Sequence, residues 1–151
     1  MSDRSVINTT FTLERVYDAS PARVFAAWAD PDAKGRWFAG PAAEHELDFR
    51  VGGRELARGR GEDGSVLTFE SVYHDIIADQ RIVCASVLMS GDDVATVSVT
   101  AVELSPEGEG TRLVLTEQGT FLDGHEQPAW REQGTLEQLT ALEAELRRQE
   151  A

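Results

Sequence analysis

The feature that most constrains the fold is a series of six β-rich segments in the middle of the chain, followed by one long helical segment. Turn signals separate the strand candidates, and Gly52-Gly53 is typical of a two-residue type I′ or II′ hairpin. Because every connection is short, we expect neighbouring strands to pair antiparallel in chain order. The six candidates are Glu46–Val51, Arg54–Arg60, Val66–Ile77, Arg81–Met89, Val94–Leu104 and Arg112–Phe121.

A further strand candidate and two short helices precede this series. Thr9–Tyr17 shows an approximate alternation of apolar and polar residues, which predicts the first strand. Ser20 as the N-cap and Pro21 at the first helical position predict the start of a helix. Asp30-Pro31 ends that helix and predicts a second one, which ends near Trp37-Phe38.

The last segment, Ala129–Gln149, contains no further proline and predicts one helix about 30 Å long, at about 1.5 Å per residue. Gly134 interrupts its pattern, and either a kink or the close approach of a ligand or a strand would explain a glycine there. The predicted apolar face consists of Trp130, Leu136, Leu139, Leu142 and Leu146.

These elements predict an α+β fold in which a curved antiparallel sheet of about seven strands wraps around the C-terminal helix. Only that helix is long enough to cover the apolar face of the sheet. A strongly twisted sheet curls around a single helix rather than packing flat on it. We therefore expect a cavity between the sheet, the long helix and the pair of short helices.

Composition limits the classes of partner. With 151 residues we expect a single domain over 1–151, with its core at about 9–149. A formal net charge of −13 argues against nucleic acids and anionic membranes as partners. A single cysteine and the lack of an apolar segment near the first residues predict a cytoplasmic protein. Whether it is a monomer or a homodimer stays open.

Two residues are candidates for chemistry inside the cavity. Strand parity puts Glu117 on the same face as Phe121 and the leucines of its strand. An unpaired carboxylate in an apolar interior holds its proton more tightly, which is how general acids and bases are built. The alternatives are an arginine partner near the sheet end, or a bulge that turns the side chain outward. Tyr73 shares parity with Phe69 and offers a hydroxyl that could orient a ligand.

Aromatic residues fall on the elements that should enclose the cavity. Most aromatic side chains serve only as core, but ligand pockets are apolar with few polar groups, so we expect a subset to line this one. The predicted ligand-binding set is Trp28, Trp37, Phe38, Phe69, Tyr73, Glu117, Phe121 and Trp130.

One strand has no normal core face. Arg54, Leu56, Arg58 and Arg60 share one side of it, and Glu55, Ala57 and Gly59 share the other. This pattern predicts an edge strand or a strand at a wet cavity mouth. Its arginines either pair with surface acids or supply one contact to a ligand carboxylate.

The remaining reactive side chains suggest no further chemistry. His45, His74 and His125 lack metal-ligand spacing, so we expect no metal and no cofactor. Cys84 lies in an apolar strand-like run, which favours a small buried hydrophobic residue over a nucleophile.

Several motifs, in order, resemble those of the START-like superfamily (SRPBCC), whose members have the helix-grip fold. The segment Arg15–Trp28 resembles its opening, and Asp30-Pro31 with Arg36-Trp37-Phe38 resembles the branch similar to the C-terminal domain of the activator of Hsp90 ATPase. The hairpin Asp48–Arg54 and the segment Thr116–Gly124 also resemble bacterial single-domain members of this branch. The resemblance covers about residues 9–149.

The resemblance implies a hydrophobic cavity that binds a small apolar molecule of the lipid or polyketide class. Two alternatives follow from the same superfamily: a cyclase or dehydratase-like enzyme that uses Glu117 or Tyr73, and a module that contacts the chaperone Hsp90. The eukaryotic activator carries a separate N-terminal domain for that contact, for which the present chain has no room.

Overall fold

The computed structural model describes residues 4–40, 43–61 and 63–150. The chain forms seven strands and three α-helices, and a short π-helical segment, Gly35–Ala39, follows the second helix. The strands are β1 (Val6–Tyr17), β2 (Glu44–Leu47), β3 (Arg54–Arg60), β4 (Val66–Ile77), β5 (Arg81–Ser90), β6 (Asp93–Glu107) and β7 (Gly110–Leu122). The helices are α1 (Pro21–Ala29), α2 (Pro31–Lys34) and α3 (Pro128–Glu150).

All seven strands form one antiparallel sheet in the order β1-β7-β6-β5-β4-β3-β2. Strands β2 to β7 pair with their neighbours in chain order, as the short connections predict, and β1 closes the sheet beside β7. The helices lie on its inner face, where Leu139, Leu142 and Leu146 of α3 are buried in the core. The predicted α+β helix-grip fold is therefore confirmed.

Local capping follows the prediction at the first helices. The Ser20 side chain accepts a hydrogen bond from the backbone N–H of Arg23, and Pro21 occupies the first turn of α1. Asp30 in turn caps α2, because its carboxylate accepts a hydrogen bond from the Ala33 N–H at 2.9 Å. These two caps fix where the short helices begin.

Polar contacts fix α3 to the rest of the fold. The Tyr17 hydroxyl donates to the carbonyl oxygen of Leu139 at 2.8 Å, which joins β1 to the middle of the helix. The Arg36 guanidinium donates two hydrogen bonds to Glu145, at 2.9 and 2.8 Å. Glu145 is 4% exposed, so this bidentate pair holds the π-helical segment against α3.

The predicted strand Glu46–Val51 and its two-residue Gly-Gly hairpin are wrong in detail. Strand β2 ends at Leu47, and residues 48–53 form a loop that turns back to β3. Phe49 leaves the strand because its ring packs against two other rings. Its ring centroid lies 5.0 Å from that of Tyr73 and 5.6 Å from that of Phe25. Gly52, at φ 84°, donates its N–H to the Tyr73 carbonyl oxygen.

The strand Arg54–Arg60 is not an edge strand. Strand β2 pairs with its Glu55–Arg58 stretch and β4 pairs with its other side, so the outer strands are β1 and β2. The alternative prediction, a strand at the cavity mouth, agrees with the structure, since Arg58, Gly59 and Arg60 border the cavity.

No helix within the described ranges is both long enough and apolar enough to cross a membrane.

Candidate ligand cavity

A cavity of about 390 Å³ lies between α3, the π-helical segment and the inner face of the sheet. Its wall is mainly apolar. Six aromatic side chains contribute, together with aliphatic residues from four strands and α3: Trp28, Trp37, Phe38, Phe69, Tyr73 and Trp130, then Leu67, Leu88, Val102, Leu115 and Leu139. The curled sheet thus leaves the hollow that the element order predicts.

Seven of the eight side chains predicted to bind a ligand border this cavity. The exception is Phe121, which is 2% exposed but lies away from the cavity wall. Its ring is in close contact with Gly119 and has the Arg131 guanidinium 5.9 Å from its centroid. Strand parity correctly turns Phe121 inward, but its ring packs beside Arg131 and is not part of the cavity wall.

Trp130 does not belong to the buried face of α3. Its side chain is 64% exposed and borders the cavity from the first turn of the helix. The buried part of the expected apolar face consists of Leu139, Leu142 and Leu146. Trp130 lies at the rim of the cavity.

A first polar cluster lies at the aromatic end of the wall. The Lys34 ammonium group donates to Glu55 Oε1 at 2.8 Å, and the Tyr73 hydroxyl donates to the same oxygen at 2.7 Å. His45 Nε2 lies 2.8 Å from Glu55 Oε2. The Lys34 Nζ also stands 4.4 Å from the centroid of the Phe38 ring, which favours the cation there.

The electrostatics of this cluster keep Glu55 ionised. Burial by itself would raise the pKa of Glu55, but the Lys34 charge and hydrogen bonds from His45, Lys34 and Tyr73 hold that pKa at about 2. Burial raises the pKa of Tyr73 far above its ordinary value, and the neighbouring Glu55 charge raises it further. The Tyr73 phenol is therefore a hydrogen-bond donor at neutral pH and is not poised to act as a base.

A second polar cluster contains Glu117. Its Oε2 accepts a hydrogen bond from Arg131 Nη1 at 2.8 Å, and its Oε1 accepts one from the Thr100 hydroxyl at 3.0 Å. Arg131 also donates two hydrogen bonds to Glu126, whose Oε1 accepts a third from Thr96. Burial works to lower the pKa of Arg131, but the Glu126 hydrogen bond and the Glu117 charge more than offset this and raise it.

Sequence reasoning missed Lys34, Glu55, His45 and Arg131 as residues of the cavity region. Two of them left a signal. Glu55 shares strand parity with Ala57 and Gly59, which also border the cavity. Arg131 stands four residues before Thr135 and eight before Leu139, a spacing that puts all three on one helix face. For Lys34, the only signal is that the chain has no other lysine.

The arginines on the outer side of β3 form exposed ion pairs. Arg54 donates to Glu70 at 3.0 Å and Arg58 to Glu44 at 3.3 Å. Arg60 donates to the Gly64 carbonyl oxygen at 2.9 Å. The surface-pair alternative thus describes Arg54 and Arg58.

Cys84 and the histidines show no reactive arrangement. The Cys84 thiol borders the cavity, and burial raises its pKa, which makes it a poor nucleophile at neutral pH. Among the residues that the structure describes, no three His, Cys, Asp or Glu side chains are grouped so that they could hold a metal ion. The arrangement as a whole is an apolar, aromatic pocket with two hydrogen-bonded ionic clusters in its wall.

Comparison with known proteins places this geometry in a family. The family model of activator of Hsp90 ATPase homolog 1-like proteins matches residues 18–147. The chain is 46% identical to a protein of known structure from Rhizobium loti, with a TM-score of 0.87, and the match covers 93% of this chain and 99% of that one.

Two further solved structures are similar. A protein from Rhizobium leguminosarum is 39% identical, with a TM-score of 0.91 and coverage of 96% of this chain and 98% of that one. A protein from Chromobacterium violaceum is 26% identical, with a TM-score of 0.74 and coverage of 89% and 94%. No curated protein matches the chain. The match to most of the chain shows that it belongs to the family of activator of Hsp90 ATPase homolog 1-like proteins.

Proposed function

We propose that this protein binds a small, largely apolar molecule inside the cavity. The observation that carries the proposal is the 390 Å³ hollow, which is lined mainly by aromatic and aliphatic side chains. Pockets of this size and composition are typical of small-molecule sites. Proteins of this family typically bind hydrophobic ligands, which agrees with the proposal.

Two details of the wall support a ligand over a closed core. The indole N–H of Trp28 is buried and has no hydrogen-bond partner within the described residues. An unpaired buried donor costs about 1–3 kcal/mol, and an acceptor group on a bound molecule would remove that cost. Gly134 of α3 borders the cavity, and a Cβ added there would meet no atom within 4 Å.

The geometry favours binding over a reaction that uses the predicted acid or phenol. Glu117 already accepts hydrogen bonds from Arg131 and Thr100, so it is not a free general acid. The Tyr73 hydroxyl donates a hydrogen bond to Glu55, and the pKa of Tyr73 is raised. A cyclase or dehydratase mechanism would have to break one of these buried arrangements before it could begin.

Native mass spectrometry of the freshly purified protein tests the proposal directly. We expect an adduct mass that is lost on denaturation, and the same spectrum reads the oligomeric state. Salt-sensitive association with Hsp90 without an adduct would instead favour the chaperone alternative, since exposed charge pairs weaken as salt rises.

A pair of leucine variants tests where the ligand binds. 2-Isopropylnaphthalene serves as the probe, and its binding is followed by quenching of the fluorescence of Trp28, Trp37 and Trp130. A Cβ at position 134 meets no atom within 4 Å, so the leucine of Gly134→Leu has room to enter the cavity, and we expect it to weaken binding by at least about tenfold. Gln133→Leu adds the same side chain at an exposed neighbouring position and should bind as the parent does. Equal affinities for the two variants would contradict binding in this cavity.

A further inference from the structure

Charged side chains lie in the wall of the mainly apolar cavity. Given the proposed function, on which this inference rests, we propose that the cavity accepts uncharged and cationic aromatic molecules and rejects carboxylates of the same shape. This selectivity would come from the net charge of the buried side chains that line the cavity.

Five side chains that are formally charged at neutral pH border the cavity with little exposure. Their side chains are exposed by 3% for Lys34, 2% for Glu55, 7% for Glu117, 15% for Glu126 and 10% for Arg131. Two are cations and three are carboxylates, so this buried set carries one net negative charge when His45 is neutral.

Both buried cations are already committed to carboxylates. Lys34 donates to Glu55, and Arg131 donates to Glu117 once and to Glu126 twice. A ligand carboxylate in the cavity would be a fourth anion beside only two cations, and both cations already pair with carboxylates of the protein. Because desolvation of an unpaired carboxylate is costly, we expect its exclusion.

A cationic ligand meets the opposite balance. Glu117 and Glu126 share a single guanidinium, with hydroxyl donors from Thr100 and Thr96 completing their shells. A second cation near these carboxylates would bring the buried set to neutrality. An uncharged polar group disturbs neither cluster, so its affinity should lie between those of the cation and the anion.

The rim arginines are the groups that could reverse this selectivity. Arg58 and Arg60 border the cavity, but both are exposed and Arg58 is paired with Glu44. An exposed guanidinium in water gains little from one more ion pair. We therefore expect the buried set, rather than the rim, to decide which charge is accepted.

Three isosteric probes test the inference at about pH 8, where the carboxylate probe is fully ionised. They are 2-naphthamidine, 2-naphthamide and 2-naphthoate, which differ in charge but hardly in shape. We expect the affinity of the parent protein for naphthoate to be at least about tenfold lower than for naphthamide, and that for naphthamidine to be equal or higher. Naphthoate that binds as tightly as naphthamide would overturn the inference.

Charge variants show whether the buried set is responsible. Glu117→Gln removes one negative charge, so it should raise naphthoate affinity about tenfold relative to naphthamide and lower that of naphthamidine. Glu126→Gln makes the same change on a more exposed carboxylate and replaces it if Glu117→Gln proves unstable by circular dichroism. Glu137→Gln is the control, because it changes the total charge equally at an exposed position on α3.

The remaining outcomes separate this inference from the proposed function. A uniform effect of Glu117→Gln on all three probes would refute charge selection while leaving the cavity as a binding site. Naphthoate binding that disappears in Arg60→Gln would place the carboxylate at the rim and also refute it. If neither these probes nor 2-isopropylnaphthalene binds, the proposed function itself fails.

Discussion

At the scale of single residues, Glu55 is the shared acceptor of a buried polar cluster. Three side chains converge on one carboxylate that is 2% exposed, and each comes from a different element: Lys34 from α2, His45 from β2 and Tyr73 from β4. Disrupting this buried cluster is costly, because removing one member leaves its partners without a hydrogen bond or counter-charge. Glu55 therefore both positions the cavity-lining side chains Lys34 and Tyr73 and contributes to the stability of the fold.

Glu55→Gln should be strongly destabilising, and its effect should depend on pH. At pH 7 we expect a loss of about 3–5 kcal/mol in the free energy of unfolding, since Lys34 stays buried without its anion. Because the folded-state pKa of Glu55 is lowered to about 2, its contribution is complete above the ordinary glutamate pKa and is lost as pH falls toward 2.

Urea denaturation from pH 7 to pH 2 measures this linkage. The gap between the parent and Glu55→Gln should narrow by about 3 kcal/mol between about pH 4.5 and pH 2. Glu70→Gln is the matched control, because Glu70 forms an exposed ion pair with Arg54 on the same two strands. A gap that stays constant across this range would show that Glu55 is not ionised in the folded protein.

Residue-level prediction succeeds where local geometry alone decides the outcome. The inward direction of Glu117 follows from strand parity, and the structure agrees. Its partner Arg131 lies on α3 and comes within 2.8 Å only when that helix docks on the sheet, so sequence parity could not choose between a free and a paired acid. Lys34 was missed because a short polar helix gives no sign that its last residue is buried.

At the scale of elements, α3 combines two roles that place different demands on its sequence. Its C-terminal half packs leucines into the core, while its N-terminal half forms one wall of the cavity. The helix runs through Gly134 without interruption, and no strand atom lies within 4 Å of a Cβ added there, so the close approach of a strand does not explain this glycine. Gly134 lies in the cavity wall, where the lack of a side chain leaves open space, although glycine has a low helix propensity.

Gly134→Ala should therefore stabilise the protein. Alanine gains about 1 kcal/mol over glycine inside a helix, and the added methyl group meets no atom within 4 Å. Urea denaturation measures the change, with Gly110→Ala as a contrast, because a Cβ there would lie 2.3 Å from the Tyr17 carbonyl oxygen and should destabilise. A loss of stability in Gly134→Ala would mean that the helix needs glycine for its backbone geometry.

The limits of strands and helices were predictable from turn residues and from the alternation of apolar and polar residues, because both signals depend on only a few neighbouring residues. This is why β4, whose limits match the prediction residue for residue, and the start of α1 agree with it. The strand through Phe49 failed because contacts with Phe25 and Tyr73, distant in the sequence, outweigh the local alternation. The loss of Trp130 from the buried face has a similar cause, since only the docked sheet shows where the helix begins to be covered.

At the scale of the whole molecule, the excess of acidic residues lowers stability through repulsion among the negative charges. The formal net charge is −13, and the ion pairs Arg54–Glu70, Arg58–Glu44 and Arg81–Asp75 are exposed. Exposed pairs contribute roughly 0–1 kcal/mol each, whereas repulsion among unpaired carboxylates extends over the surface. The buried pairs of Lys34 and Arg131 are shielded from salt by the core.

Salt should consequently stabilise this protein at neutral pH. We expect the urea midpoint at pH 7 to rise when sodium chloride is increased from about 0.02 M to about 0.5 M, since screening weakens net repulsion more than it weakens the few surface pairs. The control is the same titration near pH 4.5, the isoelectric point, where repulsion vanishes while Glu55 stays ionised. A midpoint that falls with salt at pH 7 would mean that the surface ion pairs outweigh the repulsion, and the exposed arginines would then count among the groups that hold the sheet together.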